Sequence, residues 1–117
     1  MRVKAGWGYV EIDDKSYEGD IVVHVDGTVT KRQTYLSFPY RSEFFHVPLS
    51  EKELDFLENE NPEVVYVGAG HKGMLSLTPN AKKVLSEYEL KIMLTEAVAV
   101  AISQEKRRMV AFIHTTC

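Results

Sequence analysis

Glycines spaced as Gly68-x-Gly70-x-x-Gly73 follow directly on Val64-Val65-Tyr66-Val67, a run of strand-forming, mostly β-branched residues. That spacing brings main-chain N–H groups against a pyrophosphate in nucleotide-binding folds. His71 would add a titratable donor and Lys72 a charge. The complete fingerprint also needs a helix opening at the third glycine, because a helix N-terminus carries the partial positive charge that holds the anion. Here Met74-Leu75-Ser76-Leu77 alternates as a strand does, and the next helix start comes at Thr78-Pro79. The spacing therefore predicts a loop offering backbone donors at Gly68, Ala69 and Gly70, with no aligned helix dipole behind them. As a small-anion or metabolite cradle it would sit at the carboxyl end of a parallel strand, where open α/β sheets place ligands. Arg41 and His46 are the side chains that would approach it from an earlier segment. The plainer reading is a sharp reversal for which glycine's tolerance of positive φ suffices.

His114-Thr115-Thr116-Cys117 carries the other reactive groups. A thiolate at neutral pH needs a neighbouring cation or base. Residues three apart in an extended segment point to opposite faces, so His114 does not reach Cys117. Two ligands make no structural zinc site. The expectation is a docked terminal strand with an ordinary thiol. His24, His46 and His71 fall in no metal-ligand spacing, and His24 reads as a solvent-side residue in mid-strand. Asp13-Asp14 reads as a turn and Glu58-Asn59-Glu60 as a solvated helix end. No Ser-His-Asp arrangement follows from spacing. No catalytic residue, metal or cofactor is therefore expected.

These groups need a frame, and 117 residues suffice for one domain that folds without disulfide or metal. The single cysteine forms no intrachain bridge and suits a reducing compartment, so a cytoplasmic location is expected. Apolar runs are short and broken by charge, so no membrane span is expected. Fourteen basic against seventeen acidic residues give a formal charge of −3, which does not favour nucleic acid. Lys106-Arg107-Arg108 is the one dense basic cluster, and it reads as closing a helix against the negative dipole end.

Residues 1–33 read as a β-hairpin lobe. Gly8 to Ile12 alternates, Asp13-Asp14-Lys15 turns the chain, Ile21 to Val25 follows as a second strand, and Asp26-Gly27 returns it through Thr28 to Arg32. Residues 50–117 read as an α/β half. Ser50 and Glu53 form a capping box for a helix carrying Leu54 and Leu57. Val64 to Val67 is a strand covered on both faces. Thr78 caps a helix with Pro79 at its first position and Ala81, Val84, Leu85 and Tyr88 on one face. Glu89 to Leu94 is the next strand. Thr95 then caps a helix carrying Ala97, Val98, Ala101 and Ile102, and Met109 to His114 is the last strand. Strands separated by helices imply parallel pairing. The fold class is α/β, a single compact domain with an antiparallel β-hairpin lobe joined to a βαβαβ half.

Between the halves, residues 34–49 are irregular and rich in rings: Tyr35, Phe38, Tyr40, Phe44 and Phe45. Rings carry much of the binding energy of protein interfaces. They also serve to cover a sheet, and here the expectation is that they cover the open face of the hairpin lobe. A homodimer through this segment satisfies both readings.

Trp7-Gly8, Tyr17-x-x-Asp20-Ile21-Val22-Val23, Asp26-Gly27, His46, Val65-Tyr66-Val67-Gly68-x-Gly70, Thr95-Glu96-Ala97 and the final His114-Thr115-Thr116-Cys117 together resemble the adipogenesis-associated Mth-domain family. The likeness spans nearly the whole chain. It implies a compact α/β domain with a hairpin lobe set against a βαβ layer, no established catalytic activity or cofactor, and roles in assembly or regulation through partner proteins. Family relatives include a mitochondrial assembly factor for respiratory complex I. The tryptophans that commonly follow the family's third strand are replaced by Tyr35-Leu36, and the segment from Phe38 to Phe45 is this chain's own, so no partner's identity carries over. No mitochondrial presequence is expected from the pattern of the first residues. The resemblance and the lack of a catalytic constellation favour a cytoplasmic, non-enzymatic domain acting through protein contacts. The competing expectation is a small-anion or metabolite binder, or an enzyme, built on residues 68–73.

Overall fold

The computed structural model describes residues 1–41 and 46–117. Strands β1 (Val3–Gly6), β2 (Tyr9–Ile12) and β3 (Lys15–Glu18) make an antiparallel three-stranded sheet. Its inward residues Val3, Ala5, Val10, Ile12 and Tyr17 join the core, while Lys4, Glu11 and Ser16 line up across the other face. The sequence pattern pairs Gly8–Ile12 with the strand at Ile21. In the structure Asp13 and Asp14 both take positive φ, 49° and 71°, and close a two-residue turn, so β2 pairs with β3 instead.

Strands β4 (Ile21–Val23) and β5 (Val29–Lys31) form the hairpin expected from Asp26-Gly27. Gly27 has φ 88° and Asp26 Oδ1 accepts from the Thr28 amide at 2.9 Å. This hairpin extends the main sheet, ordered β5-β4-β8-β6-β7. Strand β6 (Val64–Gly68) runs parallel to β7 (Glu89–Met93) and to β8 (Met109–Ile113), and β4 is antiparallel to β8.

Every residue of β6 and β8 is buried, because both sheet faces are covered. On one face Val64, Tyr66, Ala111 and Ile113 meet the small sheet and a helix, α3 (Thr95–Gln104). On the other, Val65, Val67, Val110 and Phe112 meet Leu49, Leu54 and two helices, α1 (Leu57–Glu60) and α2 (Pro79–Leu85). The helix α3 buries Val98, Ala99 and Ile102, and Ala97 faces solvent. Thr78 caps α2 as its position predicts, accepting from the Ala81 amide at 3.1 Å.

Three local expectations are corrected. The Ser50–Glu53 capping box does not form. Residues Glu51–Glu53 make a single 3₁₀ turn, the Ser50 amide donates to Ser37 Oγ at 3.2 Å, and Glu53 turns inward to Arg32. Thr95 does not cap its own helix, since its hydroxyl bridges two neighbouring segments. Lys106-Arg107-Arg108 lies beyond the end of α3, and its arginines pair with Glu89, Glu105 and Glu63 rather than with the helix terminus.

Residues Thr34–Tyr40 form a 3₁₀ helix that packs on the turn at 51–53. It does not cover the hairpin lobe. The lobe's inner residues pack with α3 instead, so Tyr35 and Phe38 are free to stand exposed, at 62% and 46%. Tyr40 is half-buried, with its hydroxyl donating to Glu51 at 3.0 Å. Phe44 and Phe45 lie outside the described residues.

Candidate functional site at the carboxyl ends of the parallel strands

The glycine loop leaves β6 as its spacing predicts. Gly70 and Gly73 have φ of 100° and 69°, and residues 73–77 contain no helix. Leu77 instead forms an isolated parallel bridge with Leu49. The loop amides do converge, and their acceptors are in the chain itself. The Ala69 amide donates to the Met93 carbonyl (2.8 Å) and the Gly70 amide to Thr95 Oγ1 (2.9 Å). The His71 amide donates to the Thr116 carbonyl at 2.8 Å. Lys72 and Met74 both donate to the Cys117 main-chain oxygen, at 2.9 and 3.0 Å. The space a bound anion would need is filled by residues 114–117. A Cβ at Gly70 would lie 2.2 Å from the Cys117 main-chain carbon and 2.9 Å from His114 Cδ2.

Thr95 ties the three strand ends together. Its hydroxyl accepts from Gly70 and donates to the His114 carbonyl at 2.6 Å, and the His114 amide donates to the Gly68 carbonyl at 2.9 Å. His71 makes a second tie. Its Nδ1 faces the Glu96 carboxylate and its Nε2 faces the Gly6 carbonyl at 2.9 Å. Both partners are acceptors, so the ring satisfies both only as an imidazolium donating from each nitrogen. The Glu96 carboxylate accordingly raises the His71 pKa, against the effect of burial and with help from the Gly6 and Thr115 carbonyls. Trp7 stacks on this ring with centroids 5.6 Å apart.

Behind the terminal segment lies a buried charge network. Arg32, 7% exposed, donates from Nε and Nη2 to the two oxygens of Glu53 (2.9 and 3.0 Å), and from Nη1 to Asp20 Oδ2 (3.0 Å). Asp20 also faces His114 Nδ1 at 2.8 Å and accepts from the Thr115 amide at 2.8 Å. Burial works to raise the Asp20 pKa. The hydrogen bond and charge of His114, the Thr115 amide and Arg32 outweigh it, so the carboxyl lies below its ordinary value. Ser37 Oγ meets Ser50 Oγ at 2.7 Å and donates to Glu53. An arginine and two carboxylates thus sit in the interior with their hydrogen bonds made, the condition for keeping such charges out of water.

Of the residues read as ligand-binding, Gly68, Ala69, Gly70, His71 and Lys72 are brought together, with their amides turned onto the chain. Arg41 is not brought to them: it is exposed and its guanidinium donates to the Phe38 carbonyl. His46 is exposed. Cys117 is a half-exposed free thiol in a docked segment, as expected. His24 sits at the exit of β4, not in mid-strand. It is half-buried, between Glu60 Oε2 and Thr30 Oγ1, each at 2.7 Å. Glu60 is therefore a partner of His24 and of the Val25 amide, not a free helix end. Among the described residues no cluster of His, Cys, Asp and Glu suits a metal ion, and no helix is long and apolar enough to cross a membrane. Reasoning from spacing assigned no role to Trp7, Asp20, Glu96 or Thr115, and to Thr95 only that of a helix cap. Their one common signal was the set of short motifs carrying the family resemblance, and the fold draws those motifs to one end of the sheet.

A mixed α/β domain whose last residues close the carboxyl end of its own parallel strands is thus the class of protein defined here. No protein-family model and no curated protein sequence matches the chain. Among solved structures it is similar to the conserved hypothetical protein PH1505 from Pyrococcus horikoshii OT3. The two are 31% identical with a TM-score of 0.84, and all of both chains is covered. It is also similar to the protein MT938, at 30% identity and a TM-score of 0.79, over 97% of this chain and 96% of that one. A Xanthomonas campestris protein, XCC1710, shares the fold at 15% identity and a TM-score of 0.65, over 97% of this chain and 83% of that one. The chain belongs to the family of PH1505 and MT938.

Proposed function

We propose that this family is the Mth-domain family, and that this chain is a cytoplasmic, non-enzymatic domain with an assembly or regulatory role exercised through protein contacts. The observation that carries the reading is the closure of the glycine loop. The Ala69 and Gly70 amides serve Met93 and Thr95, and those of His71, Lys72 and Met74 serve residues 116 and 117, so these donors are turned away from an anion or metabolite. Outward-facing rings then offer the more evident contact area. Tyr35 and Phe38 stand exposed on the 3₁₀ segment, and Trp7 and Tyr9 on the small sheet's hairpin. Burying an aromatic side chain is among the larger single contributions to protein association.

Sedimentation of the full chain against the double variant Tyr35→Ser/Phe38→Ser tests this. The expected result is concentration-dependent self-association of the full chain that the variant loses while keeping its circular dichroism. A strict monomer stabilised against heat by millimolar phosphate, nucleotide or carboxylate would overturn it in favour of a small-anion binder.

A further inference from the structure

His24 stands between two partners that suit the base of a nucleophile. Glu60, at the end of α1, meets its Nδ1 at 2.7 Å, and the Thr30 hydroxyl on β5 meets its Nε2 at 2.7 Å. A carboxylate only accepts, so in the neutral ring Nδ1 carries the proton and Nε2 accepts from Thr30 Oγ1. The ring is held from two more sides. The Val25 amide donates to the other Glu60 oxygen at 3.0 Å, and Phe56 stands edge-on to the imidazole with centroids 4.9 Å apart. A hydroxyl on an oriented base is the arrangement that activates serine and threonine as nucleophiles.

The surroundings supply what an acyl transfer needs. Thr30 lines a cavity of about 250 Å³ whose apolar part is Val22, Phe56 and Phe112. Main-chain bonds join Asp20 to Arg32 and His24 to Thr28, so the alternation of an antiparallel ladder turns the Lys31 N–H away from β4. Strand β5 is outermost in the sheet, and among the described residues that N–H has no partner. The amide directly after a nucleophile is a recurrent donor to the oxyanion of acyl transfer. The Gln33 side chain lines the same cavity and is also without a partner among the described residues.

We propose that Thr30 is a covalent modification site that takes an acyl group from an ester or thioester donor with a short apolar acyl chain. Thr30 Oγ1 attacks the donor's carbonyl carbon while its proton passes to His24 Nε2. The bond from that carbon to the leaving oxygen or sulfur then breaks, and the imidazolium returns the proton to the leaving group. The products are the Thr30 ester and a free alcohol or thiol. Glu60 positions the imidazole, and the Lys31 amide receives the developing oxyanion. This goes beyond the contact role and leaves it in place, since a transfer to the chain's own hydroxyl modifies the domain once and turns nothing over.

The probe is p-nitrophenyl acetate, offered to the full chain at neutral pH, with the acetyl groups located by fragment mass spectrometry. One acetyl group is expected on Thr30, as an ester that hydroxylamine removes. Thr30→Val should stay unmodified at that position and Thr30→Ser should take the group. Thr28, exposed on the same hairpin with its hydroxyl on Asp26 instead of a histidine, should stay free. Exposed lysines, which acetylate without help from the fold, give the internal reference. Relative to them, His24→Gln should slow the reaction at Thr30 about a hundredfold or more, the share of a general base. Glu60→Gln should slow it less, whereas a purely structural Glu60 would lower the unfolding midpoint and leave that ratio unchanged. Acetyl groups confined to lysines overturn the proposal, as does a folded His24→Gln that acetylates Thr30 at the full chain's rate. Should His24→Gln fail to fold, the full chain decides, and equal modification of Thr28 and Thr30 overturns it.

Discussion

At the carboxyl ends of β6 and β8 the chain is closed mainly by main-chain hydrogen bonds, whereas at their amino ends exposed charged side chains add to the Glu63 and Val64 amides on the Arg108 carbonyl. The carboxyl end uses the Gly68, Ala69, His71, Lys72 and Met74 main chain, Thr95, and the network behind His114. The amino end uses Arg107 between Glu89 and Glu105, and Arg108 on the Asn61 carbonyl. Exposure differs as sharply. Arg32 at the first end has 2% of its side chain exposed, and Arg107 at the second has 39%. The same residue type therefore does different work: a desolvated ion pair is costly to break, while a solvated one contributes little. Lysines on the edge strands, Lys31 on β5 and Lys91 on β7, further mark the sheet's sides as unsuited to edge pairing.

The largest expected effect comes from breaking the buried network. Arg32→Leu leaves Glu53, 5% exposed, without its cation and should destabilise the fold by about 3–5 kcal/mol in urea unfolding. Adding Glu53→Leu should recover only part of this. Ser37 Oγ would still lose its carboxylate and Asp20 its guanidinium contact. Complete recovery by the double variant would mean that Ser37 and Asp20 draw no support from the network.

Next come two glycines that share a conformation and differ in surroundings. Gly70→Ala meets positive φ together with the Cys117 main chain, and should cost about 3 kcal/mol, strain and overpacking combined. Gly27→Ala has φ 88° with open space around it and should cost about 1 kcal/mol. Equal costs would show that the terminal segment yields easily to a methyl group.

How much of this was legible beforehand depends on how local each cause is. The runs at Val64 and Met109, the Asp26-Gly27 turn, the Thr78-Pro79 cap and the unhelical stretch after Gly73 are written within a few adjacent residues, and all formed. Strand β3, Lys15–Glu18, was not legible because Tyr17 is its one apolar residue, so no alternation stands out. Glu53 satisfied a local capping rule by spacing, yet the stronger pull came from Arg32, a distant residue that no periodicity connects to it. The loop's occupant was hidden for the same reason. Nothing around Gly70 says that the last residues of the chain return to it.

The two ends should also titrate differently. In acid both lose stability, Asp20's contribution fading below about pH 3.8 and Glu105's below about pH 4.5, since each has a lowered pKa in the folded chain. Glu105 is held down to about 2 by Arg107 and then Tyr66, so its contribution fades as pH falls from about 4.5 toward 2. Only the carboxyl end has a group shifted the other way across neutrality. The folded pKa of His71 lies above its unfolded value of about 6.5, so its contribution is complete below that pH and is lost as pH rises through the raised folded value. Thermal unfolding of the full chain should therefore weaken from neutral toward alkaline pH, and His71→Ala should flatten that limb while removing from the acid limb only the share of Glu96, whose carboxyl His71 holds low. An unchanged alkaline limb in the variant would remove His71 as the tie between the hairpin, the loop and α3.

The smallest effect belongs to the amino end. Arg107→Ala removes bonds to two carboxylates, but in a solvated position where an ion pair contributes little. The loss should shrink further in about 1 M salt, where the screening length falls to roughly 3 Å. The Arg32 network, shielded from solvent, should keep nearly all its effect under the same salt. A salt-insensitive Arg107→Ala, or a cost approaching that of Arg32→Leu, would mean that the pairing with Glu105 draws on the buried Tyr66 hydroxyl, which donates to that carboxylate at 2.6 Å. The contrast between the two ends would then be one of degree, with Tyr66 carrying the surface charges into the core.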